Sequence, residues 1–150
     1  MVVKVAMAGD GSGLEAIHKL SSMGIPINAT VMITPAQAVL AAQAGASYAS
    51  LFFNRIKDAG EDPVMAIQQT RSIFESSSIR TKIIAGSMRQ PRDVIDAALA
   101  GAHIITVPYK IMAQLPFHPK SQETIEEFNR AWQEFLRLKT KTEVVAQTIR

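Results

Sequence analysis

Short runs of β-branched residues alternate with longer helical stretches five times along this chain, and each helical stretch is marked by a proline at its start or a glycine at its end. The runs Val2 to Met7, Ile27 to Met32, Tyr48 to Phe53, Lys82 to Ala85 and His103 to Val107 predict strands. Leu14 to Met23 predicts the first helix, and Pro35, Pro63 and Pro91 fall at the first helical position of the next three, where a missing N–H costs nothing. Gly24, Gly45 and Gly101 are expected to end helices. Strand-then-helix units in succession imply a parallel sheet, in one of two forms: open and doubly wound, or part of an eight-stranded barrel.

Composition narrows the function classes. No cysteine is present among the 150 residues, which excludes disulfide scaffolds, cysteine–zinc sites and thiol catalysis. His18, His103 and His118 lie too far apart for a local metal motif, so no metal is expected. The formal charge of +3 comes from scattered basic residues with no run suited to a nucleic-acid backbone. From Leu20 to Asn54 there are 35 residues without a charged side chain or histidine. Pro26, Asn28, Thr30, Thr34, Pro35, Gln37, Gln43 and Gly45 interrupt this segment too often for a membrane span. A strand, helix and strand buried in a parallel sheet account for it better. The start, VVKVAMAGDG, lacks the pattern of a signal peptide, and a cytoplasmic address is expected.

Two segments, AAQAGASYASLF and AALAGAHIITVP, share an Ala-Gly-Ala turn from helix to strand, with their glycines 56 residues apart. This is a weak repeat of βα units. After the fifth strand, Tyr109 to Leu115 predicts a short helix. Thr124 to Glu127 form a capping-box pattern, followed by Ile125, Phe128, Trp132, Phe135 and Leu136 on one stripe of a helix over about 121–138. Ordinary packing is the favoured reading of that stripe. Lys139 to Arg150 is polar and expected to fray. One domain is expected over 1–150.

The segment AGDGSGLEAI raises the possibility of a dinucleotide site. Gly9 and Gly11 fit a G-x-G-x-x-G start, but the third position is Leu14, and no acidic residue stands among Ile25 to Ile33 to receive a ribose. A tight turn whose amides face some anion at a helix N-terminus is the better reading.

Side chains two apart on a strand share a face. Lys4 shares one with Val2 and Ala6, Asn28 with Thr30, and Ser50 with Phe52; Ser87 and Arg89 follow the fourth strand, and Arg55 lies just past the third. These polar residues gather at C-terminal strand ends, where parallel barrels build their active sites. Taken alone, Lys4 fits an edge-strand gatekeeper equally well. Taken together, the set predicts a shared site with a buried lysine. Burial and two nearby arginines would disfavour its charged form. A neutral amine can attack a ketone and form a Schiff base, an electron sink that lets a neighbouring carbon–carbon bond break or form. Arg55, Arg89 and the Ser87 hydroxyl would hold a sugar phosphate.

These residues resemble the transaldolase family, in its small type related to fructose-6-phosphate aldolase. Lys4 in VVKVAM matches the family's Schiff-base lysine on the fourth barrel strand. The stretch NATVMITPAQAVLAAQAGASYASLFFNRI resembles the fifth-strand, helix and sixth-strand segment, placing Asn28, Thr30, Ser50, Phe52 and Arg55 on active-site positions. IIAGSMRQPRDVIDAALAGAHIITVPYKIM resembles the seventh- and eighth-strand region, where Ser87 and Arg89 fall on phosphate-binding positions, and HPKSQETIEEFNRAWQEF also fits. The resemblance covers roughly residues 2 to 137 and implies an α/β chain of the (β/α)8 TIM-barrel family, covering about strands 4 to 8 with a C-terminal helix.

The resemblance further implies transfer of a dihydroxyacetone unit between sugar phosphates through Lys4, without a cofactor. Lys4, Thr30 and Phe52 take catalytic positions; Asn28, Ser50, Arg55, Ser87 and Arg89 bind substrate. Phenylalanine at position 52, where the aldolase branch has tyrosine, favours the transferase over a fructose-6-phosphate aldolase. The family's first-strand aspartate and third-strand glutamate have no counterpart, which leaves a non-catalytic assembly subunit as the alternative from another class. Asp58, Glu61 and Asp62 read as loop and cap residues rather than substitutes. A homo-oligomer is expected, because the stretch from Pro35 to Ala44 has only Gln37 and Gln43 as polar side chains. Neither nucleic acid nor membrane is an expected partner.

Overall fold

The computed structural model describes residues 1–148, with side chains described to Lys139. It divides into two compact units, Met1–Met112 and Ala113–Arg150. The first unit holds five parallel strands, β1 (Val3–Ala6), β2 (Ile27–Met32), β3 (Tyr48–Phe52), β4 (Lys82–Gly86) and β5 (Ile104–Ile105), in the spatial order of the sequence. Helices α1 (Ser12–Ser22), α2 (Pro35–Gln43), α3 (Phe53–Asp58), α4 (Pro63–Ser76) and α5 (Pro91–Leu99) fill the connections, and the short α6 (Tyr109–Met112) follows β5. Doubly wound sheets reverse their strand order at a switch point. This sheet does not reverse, which is the arrangement of a barrel segment; it is not closed, and β1 and β5 are its edges.

Local chemistry explains the boundaries. Thr34 caps α2 with a capping box, its hydroxyl accepting from the Gln37 N–H at 3.4 Å while Gln37 Oε1 accepts from the Thr34 N–H at 3.2 Å. Asp62 caps α4 by accepting from the Val64 and Met65 N–H groups at 2.8 and 3.2 Å. Pro35, Pro63 and Pro91 occupy first helical positions as predicted. The two Ala-Gly-Ala turns close alike: the N–H groups of Ala46 and Ala102 reach back five residues to the carbonyls of Ala41 and Ala97, over glycines at φ of +102° and +94°. That is the Schellman arrangement, and the repeat seen in the sequence is one turn used twice.

One face of the sheet carries Ile27, Ala29, Ala49, Leu51, Ile83 and Ala85, all fully buried. Against it pack Ile17, Ala41, Ile67, Phe74 and Ala97 from the helices. The uncharged stretch is therefore β2, α2 and β3, packed against helices on one face of the sheet only, with Val31 and Leu40 exposed, where cover on both faces was expected. Among the described residues no helix is long and apolar enough to cross a membrane.

Gly13 lets α1 approach its strand. A Cβ there would stand 2.3 Å from the Ala6 carbonyl oxygen and 2.9 Å from the Ala8 nitrogen, both backbone atoms that cannot yield cheaply. Gly13→Ala should therefore destabilise the chain by about 1–3 kcal/mol, the scale of overpacking. Urea unfolding measures it, and an unchanged midpoint would contradict the close approach.

Several expected boundaries shift. β5 keeps only two of the five residues predicted for it, and α6 ends at Met112 rather than Leu115. Asp58 is not a loop residue: it closes the short helix α3, which starts directly at the end of β3. In the second unit, α7 runs from Pro119 to Thr148 instead of 121–138, through the segment expected to fray. Thr124 lies inside it, its hydroxyl donating to the Lys120 carbonyl at 2.9 Å. His118 sits just before the helix, its Nδ1 accepting from the Lys120 N–H at 3.1 Å. Because Pro119 has no N–H, the first free amide of the helix is that of Lys120, and His118 satisfies it, so the helix starts before the Thr-x-x-Glu pattern. Trp132 and Phe135 stack at 5.4 Å on this helix.

Candidate functional site

Register places the polar strand residues on one face. Parallel pairing sets Lys4 opposite Asn28, Ala6 opposite Thr30, Asn28 opposite Tyr48 and Phe52 opposite Gly86. Residues so paired point the same way, so Lys4, Asn28, Thr30, Ser50 and Phe52 share the face turned away from the helix-packed core.

Asn28 and Ser50 are in direct contact, the Ser50 hydroxyl donating to Asn28 Oδ1 at 2.6 Å. Thr30 is 5% exposed, and its hydroxyl is the one buried side-chain polar atom without a hydrogen-bond partner among the described residues. Leaving such a group unmade costs roughly 1–3 kcal/mol. Beside it the β2–β3 register slips between Ala29 and Met32, and Val31 adopts a φ of +64°. A β-branched residue in the left-handed region is strained, and bulges of this kind re-aim side chains next to functional sites.

Phe52 lies across Gly86, where a Cβ would meet its Cδ1 at 3.5 Å. That is ordinary van der Waals contact; the tighter approach would be to the Thr106 hydroxyl oxygen, at 3.3 Å. The Arg55 guanidinium stands 5.9 Å from the centre of the same ring, a cation–π contact that joins the end of β3 to α3.

Lys4 departs from expectation. It is exposed, not buried: β1 is an edge of the sheet, and among the described residues no strand pairs with its outer side. The desolvation inferred from its Val and Ala neighbours needs a second wall, which those neighbours cannot supply. Its position on an edge strand also satisfies the gatekeeper role weighed above.

The loop after β4 is the most tightly organised part of the site. Ser87 has a φ of +66°, unusual for a residue other than glycine. Asn54, buried at the start of α3, donates its amide to the Ser87 carbonyl at 2.8 Å and to Asp93 Oδ2 at 2.6 Å. The same carboxylate oxygen accepts the Arg89 N–H at 2.9 Å and the Gln90 N–H at 3.1 Å, and Oδ1 accepts from Gln90 Nε2 at 3.1 Å. The Arg89 side chain turns to Asp58 and forms a bidentate pair at 2.7 and 2.5 Å, with both partners about half exposed. The Arg89 hydrogen bonds hold the Asp58 carboxyl below its ordinary range.

Asn54, Asp58 and Asp93 were not among the residues singled out for the site. Asp93 carried one legible signal, an acidic residue three places after Gln90 at a helix start; its partners are distant in sequence. Tyr48 and Lys82, on the same face as Lys4 by register, follow from the alternation that identified Ser50 and were also overlooked.

Asp93 is 2% exposed. Burial opposes its charged form, but the hydrogen bonds from Arg89, Asn54 and Gln90 together outweigh it and hold the carboxyl below its ordinary value of 3.8. A folded-state value below the unfolded one adds stability that is complete above the unfolded value and disappears as pH falls through the folded one. Urea midpoints should therefore drop more steeply below about pH 4 in the native chain than in Asp93→Asn. Equal slopes in the two proteins would remove Asp93 from the acid response.

At the start of α1 the anion sought in the sequence is the chain's own. Asp10 Oδ1 accepts the Ser12 N–H at 3.0 Å and the Ser12 hydroxyl at 2.7 Å, with Gly11 at a φ of +85°. Gly9 and Gly11 therefore make a self-capped turn. Among the described residues no group of three or more His, Cys, Asp or Glu side chains could hold a metal ion.

Comparison with known proteins bears on the whole chain. A family model described as Transaldolase/Fructose-6-phosphate aldolase matches residues 1–150. A probable transaldolase of Clostridium acetobutylicum is 48% identical over 134 residues, which cover 89% of this chain and 61% of that protein. A probable transaldolase of Carboxydothermus hydrogenoformans is 44% identical over 133 residues, and one of Herpetosiphon aurantiacus 40% identical over 134. The chain spans about 61% of the length of the first two relatives. With its unreversed parallel sheet and a family match along its entire length, the chain belongs to the transaldolase/fructose-6-phosphate aldolase family.

Proposed function

We propose that the protein transfers a dihydroxyacetone unit between sugar phosphates through a Schiff base on Lys4. The observation that carries this reading is the gathering of Lys4, Asn28, Thr30 and Ser50 on one sheet face, with a buried Thr30 hydroxyl left unpartnered.

The Lys4 amine adds to the ketone carbon of the donor, and loss of water gives an iminium. Cleavage of the bond between the α carbon and the hydroxyl-bearing carbon beyond it sends its electron pair into the iminium, forming an enamine; that hydroxyl gives its proton to water, which later returns it to the alkoxide of the new product, and the fragment departs as an aldehyde. The enamine then attacks the aldehyde of an acceptor sugar, and water releases the product from Lys4. Asn28, held by Ser50, orients the donor's hydroxyls. The Thr30 hydroxyl takes the water or substrate hydroxyl that completes its hydrogen bonding. Phe52 supplies an apolar wall that shields the enamine from water. Arg55, Arg89 and Ser87 receive the phosphate at the C-terminal strand ends.

A chimera in which this chain replaces the matching 134 residues of the Clostridium acetobutylicum relative provides the test. Fructose 6-phosphate with borohydride should leave a reduced adduct on the Lys4 peptide by mass mapping. An adduct elsewhere, or none in a folded chimera, would refute the mechanism.

A further inference from the structure

We propose that Asp93 and Asn54 are positioning residues that hold the Ser87–Gln90 loop in its phosphate-competent shape without touching the phosphate. This inference rests on the reading of Ser87 and Arg89 as phosphate ligands. Ser87 occupies the left-handed region, which disfavours a side chain, and such a conformation persists only when its surroundings over-determine it. Here the surroundings are two side chains. Asn54 fixes the Ser87 carbonyl, and Asp93 fixes the next two amides that follow Met88, those of Arg89 and Gln90. Asn54 also bonds to Asp93, so the pair forms one unit that ties α3 to the start of α5. Both residues are buried, at 5% and 2% exposure.

A consequence concerns how the anion is held. Helix N-termini commonly bind phosphate through free backbone amides. At α5 the Arg89 and Gln90 amides are already taken by Asp93, which shifts the grip on phosphate toward side chains: the Ser87 hydroxyl and the guanidinium groups of Arg89, once released from Asp58, and Arg55. The direction of the Ser87 and Arg89 side chains is then set by the backbone that Asn54 and Asp93 hold.

Titration of the isotope-labelled 150-residue chain with inorganic phosphate, followed by backbone amide and Ser87 Cα and Cβ resonances, tests this. The native chain should bind saturably. Asp93→Ala should move the Ser87 carbon resonances of the free protein and weaken phosphate roughly tenfold or more, the scale of a misplaced contact; Asp93→Asn should fall between. Arg89→Ala, a lost ligand, should weaken binding while leaving the free-state Ser87 carbons in place, which separates positioning from contact. If Asp93→Ala fails to fold, Asn54→Ser removes the bonds to Ser87 and Asp93 and should show the same pattern. Native phosphate affinity in the folded Asp93 or Asn54 variants overturns the positioning role. Absence of binding by the native chain removes the phosphate assignment, and this inference with it.

Discussion

Replacing Lys4 by methionine in the chimera should lower transfer of the dihydroxyacetone unit by on the order of 10⁴-fold or more, the scale found when a covalent nucleophile is removed. Methionine keeps the length and the apolar stem of lysine and lacks only the amine. In the 150-residue chain Lys4 is exposed on the edge strand β1, so its removal there creates no cavity and leaves no buried partner unpaired. The stability of that chain should accordingly change little, as surface substitutions away from special features stay within about 0.5 kcal/mol. The two readouts separate chemistry from folding: lost turnover with an unchanged melting temperature supports the Schiff base. Turnover retained within about tenfold would mean that another group carries the chemistry or that Lys4 acts only as a gatekeeper.

The second large effect concerns Arg89. Arg89→Ala should raise the KM for fructose 6-phosphate by about 10- to 100-fold, corresponding to a hydrogen bond to a charged group. Turnover at saturation should change less, because the interaction is made equally in the ground and transition states. Fructose without its phosphate should be indifferent to the change. Asp58→Asn should act in the opposite direction. Its carboxylate now occupies the guanidinium in a bidentate pair, and a phosphate must displace it. Because the pair is exposed, the gain should be no more than a few-fold and should shrink with added salt. A KM for fructose 6-phosphate that rises in Asp58→Asn would show the carboxylate to be a support for Arg89 rather than a competitor.

Whatever depends on near neighbours in the chain is written in the sequence itself. The alternation of two along Asn28 to Thr30 and along Ser50 to Phe52 assigned those side chains to one face, because a strand's pleat permits no other arrangement. Pro35, Pro63 and Pro91 marked helix starts for an equally local reason, since a fixed φ and an absent N–H suit only the first turn. Gly45 and Gly101 marked helix ends because the reversal there needs a positive φ. Even the resemblance rested on contiguous stretches, and the family match covers the same chain.

Tertiary structure decided what depends on two remote segments meeting. Lys4 reads as buried from its Val and Ala neighbours, yet its exposure is set by what lies beside β1, and β1 is an edge. The slip between Ala29 and Met32 that leaves Val31 in the left-handed region arises from pairing with β3, so alternation along β2 could not announce it. Asp58 and Arg89 are 31 residues apart and Asn54 and Asp93 are 39 apart, and both pairs exist because α3 folds back beside the loop after β4. Periodicity is a property of the backbone's own geometry and is written locally. Hydrogen-bond partnership and burial belong to pairs of surfaces, and only the folded sheet brings those surfaces together.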